Sequence, residues 1–161
     1  MKRKNQYLLL PALGIIVLDQ ITKILVIRAL PLHDYIPVIN NFFNLVHVRN
    51  RGMAFGLMNR SGSMFTFYAL LFATIVAIAL LLIWFTKLKQ DDHRLTIGFS
   101  LIIGGALGNL IDRVRLGEVI DFLDVYIGPF HWPAFNVADS AITIGTFWVA
   151  LNLLFHHSST Q

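Results

Sequence analysis

The chain has 161 residues, of which 56% are hydrophobic and 14% charged, whereas soluble domains usually carry about 25% charged residues. This composition excludes an ordinary soluble globular domain and a disordered chain, and the absence of cysteine excludes disulfides, thiolate metal sites and cysteine nucleophiles. The net charge of +4 is expected of basic residues that flank membrane spans, so it does not indicate a nucleic-acid partner.

The apolar stretches predict an all-α polytopic membrane protein with four transmembrane helices, forming a single integral membrane domain over residues 1–161. A span needs about 20 mostly apolar residues, and four stretches meet that need. The first is not followed by a small-residue cleavage site, so we interpret it as a retained span and not as a signal peptide. The predicted spans cover about 7–27, 65–85, 95–111 and 138–155.

Two charged residues lie inside the first predicted span. Asp19 and Lys23 are spaced i, i+4, so they share one face of a helix. Charged side chains within spans are costly and are therefore candidates for a functional role. The alternative is a self-neutralising ion pair that only lowers its own cost of insertion.

Two long connections, 28–64 and 112–137, lie on the same side of the membrane, because two spans and a short link separate them. Both contain alternating or β-prone stretches, which predict a small extramembrane β-sheet built from these outer loops. All lysines except Lys23 lie in the N-terminal tail or the short link 86–94. The positive-inside bias therefore places both termini in the cytoplasm and both long loops outside.

The third predicted span ends in a polar group. Asn109, Asp112 and Arg113 share a helical face by their i+3 and i+4 spacing. An acidic residue at a helix C-terminus opposes the helix dipole, and a local rule broken in this way indicates function. The alternative is an interfacial ion pair between Asp112 and Arg113.

The second outer loop contains two acidic residues, Asp121 and Asp124, within an alternating stretch. If this stretch is a strand, its period of two turns these side chains to opposite faces. Only one of them can then point at a common site, and periodicity leaves open which one.

The last candidate acid, Asp139, begins the fourth span. Asn136 and Asp139 have the spacing of a capping box, in which each side chain bonds the backbone N–H of the other. Asp139 also lies at the outer membrane boundary, at the depth predicted for Asp19 and Asp112. The sequence thus predicts a carboxylate-rich polar site at this boundary.

Two neighbouring carboxylates cannot both stay ionised, so one holds a proton while the other acts as a base. Such a pair is sufficient for amide hydrolysis. The six histidines are scattered, which does not favour a zinc site. Two alternatives remain: a serine–lysine peptidase using Ser140 and Lys23, and a non-enzymatic transporter or assembly factor with a proton or ion path.

Five motifs in order resemble the lipoprotein signal peptidases, also called signal peptidase II. The resemblance covers almost the whole chain. Each motif is weakly specific alone, and the ordered set is specific. The motifs are 19–23 (DQITK), 50–55 (NRGMAF), 104–113 (GGALGNLIDR), 119–122 (VIDF) and 135–140 (FNVADS).

The resemblance implies an aspartic endopeptidase of the bacterial cytoplasmic (inner) membrane with its active site at the outer leaflet edge. It removes the signal peptide of diacylglyceryl-modified prolipoproteins just before the lipidated cysteine. Its implied partners are these substrates, membrane lipids and globomycin-type inhibitors, and no metal, other cofactor or nucleic acid is implied.

By motif position, the resemblance assigns the catalytic pair to Asp121 and Asp139, and so chooses Asp121 over Asp124. Other motif positions match residues that line the site, orient the aspartates, contact substrate or support the site. These residues are Asn50, Asn109, Asp112, Arg113, Asn136, Asp19 and Lys23.

Overall fold

The computed structural model describes residues 3–52, 64–88 and 92–156, so residues 53–55 of the second motif lie outside the described residues. Within these ranges, four helices are long and apolar enough to cross a membrane, which confirms the predicted class of fold. They are α1 (Arg3–Ala29), α2 (Met64–Lys87), α3 (His93–Leu116) and α4 (Val137–His156).

Helix α3 is the centre of the bundle and packs against each of the other three helices. Its glycines allow close approach, as the small-xxx-small pattern predicts. A Cβ atom on Gly108 would lie 2.7 Å from the Asp19 carboxylate of α1, and one on Gly105 would clash with the carbonyl oxygen of Ala138 in α4. The three outer helices instead expose large apolar side chains, as lipid-facing surfaces do.

The C-terminal end of α3 differs from the sequence prediction. The helix continues to Leu116 and not 111, and it ends at Gly117, whose φ of 75° is left-handed and whose N–H donates to the Arg113 carbonyl. Hydropathy marks where the apolar residues stop, whereas the helix continues until a cap ends it. Asp112 therefore precedes the last turn, and the expectation that it opposes the dipole at the helix end is wrong.

Both outer loops contribute to one antiparallel sheet in the order β1-β2-β3-β4, as predicted. Pairing of β2 with β3 sets Val48 opposite Asp121 and Asn50 opposite Val119. The strands are β1 (Tyr35–Ile39), β2 (Phe43–Asn50), β3 (Val119–Ile127) and β4 (Phe130–His131). Because β3 begins three residues after α3 ends, the β2–β3 end of the sheet lies beside the helix bundle.

Candidate active site

A cavity of about 650 Å³ opens where the sheet meets the bundle. Asp121 reaches it from β3, and Asp139 reaches it from the first turn of α4. Its remaining wall is largely apolar and includes Trp132 and Ile144. Five of the nine residues expected at a site line this one cavity, namely Asn50, Asn109, Arg113, Asp121 and Asp139.

Asp121 is almost fully buried, with 2% of its surface exposed. Its two oxygens accept hydrogen bonds from different asparagines, at 2.8 Å from Asn136 Nδ2 and 3.0 Å from Asn50 Nδ2. Burial, and then the negative charge of Asp139, raise the pKa of Asp121 to about 7, although both hydrogen bonds oppose that rise. Near neutral pH, Asp121 is therefore able to hold or release a proton.

Asp139 is held by the helix cap that was predicted from the sequence. Its Oδ2 accepts from the Asn136 backbone N–H at 3.2 Å, and its own N–H donates to Asn136 Oδ1 at 2.9 Å. This reciprocal pair is a capping box. Its other oxygen accepts from Asn109 Nδ2 at 2.8 Å. The Asp139 carboxylate therefore belongs both to the helix cap and to the candidate site, so a capping role for Asp139 does not exclude a role in the site.

Behind the cavity, Lys23 joins α1 to α3. Its ammonium lies 2.9 Å from Asp19 Oδ2, 2.7 Å from Asp112 Oδ2 and 3.0 Å from Asn109 Oδ1. Lys23 and Asp19 form the predicted i, i+4 pair, but the pair is not only self-neutralising, since it also binds two residues of α3. Asp112 forms its ion-pair contact with Lys23, and among the described residues no such contact joins Asp112 to Arg113, so the alternative interfacial pair is not formed.

Sequence reasoning missed three donors in this cluster. Gln20 Nε2 donates to Asp112 Oδ1 at 2.9 Å and also contacts Asp19 Oδ2 at 3.2 Å. The backbone N–H groups of Ala138 and Ile120 donate to Asp19 and Asp112 at 2.9 and 3.3 Å. A polar Gln20 inside a span was a usable signal, whereas backbone donors leave no trace in a sequence.

Asp124 belongs to a different environment. It accepts from Asn44 Nδ2 at 2.9 Å, lies 2.9 Å from His131 Nδ1, and lines a second cavity that does not include Asp121. The strand therefore separates the two aspartates, as its period of two requires. Asp121 is the one that shares a cavity with Asp139.

The serine–lysine alternative lacks the contact it needs. Ser140 Oγ donates to the Asn136 carbonyl at 2.9 Å, while the three N–H groups of Lys23 have the acceptors already described. Among the described residues, no hydrogen bond joins Ser140 to Lys23.

Comparison with known proteins now adds to this geometry. Residues 11–155 match the family model described as "Signal peptidase (SPase) II". The chain belongs to the signal peptidase II family. This is a family of peptidases, so membership argues against the non-enzymatic transporter or assembly factor.

Named relatives agree over most of their length. The lipoprotein signal peptidase of Geobacter sulfurreducens is 49% identical over 142 residues, covering 88% of each chain. That of Syntrophus aciditrophicus is 44% identical over 156 residues, covering 96% of each. A solved bacterial membrane enzyme superposes with a TM-score of 0.84 at 34% identity, covering 94% of this chain and 90% of its own. The family assignment thus rests on both sequence and fold.

The Lys23 cluster predicts the outcome of one substitution in this signal peptidase II family member. Lys23→Met would leave Asp19 and Asp112 buried without their cation, which costs about 3–5 kcal/mol for a buried pair. We expect a lower unfolding temperature in detergent and loss of peptidase activity. The matched control is Lys87→Met, which removes an exposed lysine from the last turn of α2. Equal unfolding temperatures for the two variants would contradict the central role of Lys23.

Proposed function

We propose that the protein is an aspartic endopeptidase that removes the signal peptide from diacylglyceryl-modified prolipoproteins by cutting just before the lipidated cysteine. The observation that carries the proposal is the shared cavity of Asp121 and Asp139, in which each carboxylate is held by asparagine amides. The names of the relatives, lipoprotein signal peptidases, support this choice of substrate.

The two aspartates would divide the acid and base roles. Asp121, with a pKa of about 7, holds the proton at rest. Asp139 lies at the N-terminus of α4, where the helix dipole favours a negative charge, and acts as the base. Asp139 takes a proton from water as the water oxygen attacks the scissile carbonyl carbon, and Asp121 protonates the carbonyl oxygen. When the tetrahedral intermediate collapses, the C–N bond breaks, the amine leaves with the proton from Asp139, and a hydroxyl of the intermediate returns a proton to Asp121, which restores the starting state of both carboxyl groups.

Arg113 supplies positive charge on the cavity wall. It lies close enough to Asp139, Asp121 and Asp112 to interact electrostatically with all three. Within the described residues it is the one cationic side chain that lines the cavity. We propose that it offsets negative charge as the substrate carbonyl becomes tetrahedral.

The apolar side of the cavity suits a lipid-anchored substrate. Trp132, Ile142 and Ile144 line it, and the exposed side chains of Ile144 and Phe147 continue the apolar surface along α4. Acyl chains lying against this surface would hold a scissile peptide bond beside the aspartates. We place the site at the outer leaflet edge of the inner membrane with both termini cytoplasmic, as the lysine distribution favours, and we expect globomycin-type inhibitors to bind there.

Substitution of each aspartate tests the assignment. Asp121→Asn and Asp139→Asn should each lower kcat by about a thousandfold or more, because a single carboxyl group cannot supply both acid and base. Asp124→Asn and Ser140→Ala should retain most activity. The assay is cleavage of a lipidated prolipoprotein by purified full-length protein in detergent, with and without globomycin.

Each control has a defined consequence. Activity in Asp121→Asn together with loss in Asp124→Asn would reverse the assignment made from the shared cavity. A folded but inactive Ser140→Ala variant would instead favour the serine–lysine mechanism.

The pKa of Asp121 predicts an alkaline loss of activity. Above a pH of about 7, Asp121 loses the proton that the reaction requires, so kcat/KM should fall as the pH rises through this value. Stability should change with the same sign. The folded-state pKa of Asp121 lies above its ordinary value of 3.8, so its contribution to the free energy of unfolding is fully present below that value, falls as the pH rises, and is lost once the pH has risen through about 7. A pH profile of Asp124→Asn serves as the control and should match that of the unmodified protein. A flat profile from pH 6 to about pH 9 would contradict the role of Asp121 as the acid.

The substrate's lipid should matter strongly. Each acyl methylene contributes about 0.8 kcal/mol to membrane anchoring, so two chains hold the substrate at the depth of the cavity. We expect unmodified prolipoprotein to be cleaved at least about a hundredfold less efficiently in kcat/KM than the diacylglyceryl form. Both forms are to be measured in the same detergent. Comparable rates would show that the apolar wall does not bind acyl chains.

A further inference from the structure

Glu118 lies between the end of α3 and the start of β3, and two arginines of the neighbouring chain segment bind it. Arg49 Nη1 lies 2.8 Å from its Oε1, and Arg51 Nε lies 3.0 Å from its Oε2. The side chain of Glu118 is 6% exposed, whereas those of Arg49 and Arg51 are 44% and 64% exposed. One buried carboxylate is therefore held by two half-exposed guanidinium groups, one on each oxygen.

The residue between these arginines is Asn50, which contacts Asp121. Alternate residues of a strand face opposite sides, so Arg49 on the Glu118 side leaves Asn50 facing the cavity. The backbone pairing of β2 with β3 ends at Asn50 and Val119. At this end of the paired strands, the ion pairs of Arg49 and Arg51 with Glu118 connect the β2 segment to the start of β3.

The orientation of the Asn50 amide is fixed as well. Its Oδ1 accepts the Gly52 N–H at 2.9 Å, so its Nδ2 is the group that remains to donate to Asp121 Oδ2 at 3.0 Å. This orientation requires Gly52 to stay in place. Arg51, bound to Glu118, lies between Asn50 and Gly52 in sequence and holds the chain there.

We propose that Glu118 is a positioning residue for the reaction, which acts by holding Arg49 and Arg51 so that Asn50 keeps its hydrogen bond to Asp121. The proposal rests on the proposed role of Asp121 as a catalytic acid. Arg49 and Arg51 are half-exposed, so solvent screens their ion pairs with Glu118, and Glu118→Gln leaves no charge buried without a partner. The main effect of Glu118 is therefore expected on the geometry at Asp121 and not on the unfolding temperature.

The pH profile reports this geometry. In the part of the chain that the structure describes, the charged groups facing Asp121 are Asp139 from α4 and Lys23 from α1, together with Arg113 from α3. The hydrogen bond from Asn50 lowers the pKa of Asp121 against the effect of burial. When the bond weakens, the proton is held to a higher pH, so the alkaline limb of the activity profile should move upward. A purely structural role for Glu118 would lower the amount of active protein without moving this limb.

The test is a double-mutant cycle on the full-length protein in detergent with a lipidated prolipoprotein substrate. We expect Glu118→Gln to lower kcat about tenfold, the loss typical of one hydrogen bond, with little change in KM. Its alkaline limb should rise by up to about one pH unit. The Glu118→Gln/Asn50→Ala double variant should be no slower than Asn50→Ala alone, because both changes remove the same interaction. The matched control is Asp34→Asn, which replaces an exposed acidic residue just before β1 and should leave rate and profile unchanged.

Three outcomes would overturn the proposal: additive losses in the double variant, an unshifted alkaline limb in Glu118→Gln, or wild-type kcat in Glu118→Gln. If Glu118→Gln does not fold, Arg49→Ala replaces it in the same cycle with the same criteria. Asp121→Asn is measured alongside. An active Asp121→Asn variant would show that the proposed function has failed, whereas an inactive one with an additive cycle would show that only the role of Glu118 has failed.

Discussion

The rest of the site depends on the contacts of the buried Lys23 ammonium group with oxygen atoms of α1 and α3. The Lys23 side chain is 2% exposed, and its ammonium group is surrounded by three oxygen acceptors, from Asp19 on its own helix and from Asp112 and Asn109 on α3. A buried cation is tolerated only when it is paired and fully hydrogen-bonded, so this contact determines how α1 and α3 pack. Gly108 allows the approach, since any larger residue would meet the Asp19 carboxylate.

Two asparagine side chains hold the aspartates, and Lys23 fixes the orientation of one of them. Asn109 Oδ1 accepts from Lys23, which leaves its Nδ2 to donate to Asp139. Asn136 Oδ1 accepts a backbone N–H of α4, which leaves its Nδ2 for Asp121. Neutral amides fix the carboxylates without adding charge, so they oppose the effect of burial only in part. The pKa of Asp121 therefore stays near 7, in the range where one proton can be shared between an acid and a base.

Sequence reasoning predicted the features that have a period or a local signal, namely the spans, the sheet and the capping box of Asn136 and Asp139. The end of α3 at Leu116 was missed because a glycine cap, and not hydropathy, sets it. The choice between Asp121 and Asp124 came from a resemblance, because strand period alone gives two opposite faces. Glu118 was not singled out, since its arginine partners lie 69 and 67 residues away in the chain.

One candidate catalytic residue lies on the sheet and the other on a helix, so the site requires the sheet to be fixed to the bundle. Two connections do this. The Ile120 N–H donates to Asp112 at 3.3 Å and its carbonyl accepts from Asn136 at 3.2 Å. Phe135, one residue before the cap of α4, exchanges backbone hydrogen bonds with Leu123 at 2.8 and 3.0 Å. These contacts bracket Asp121 on its own strand and join it to the segment that begins α4. The geometry of the two carboxylates is therefore set by folding, so catalysis would not need to reorganise them when substrate binds.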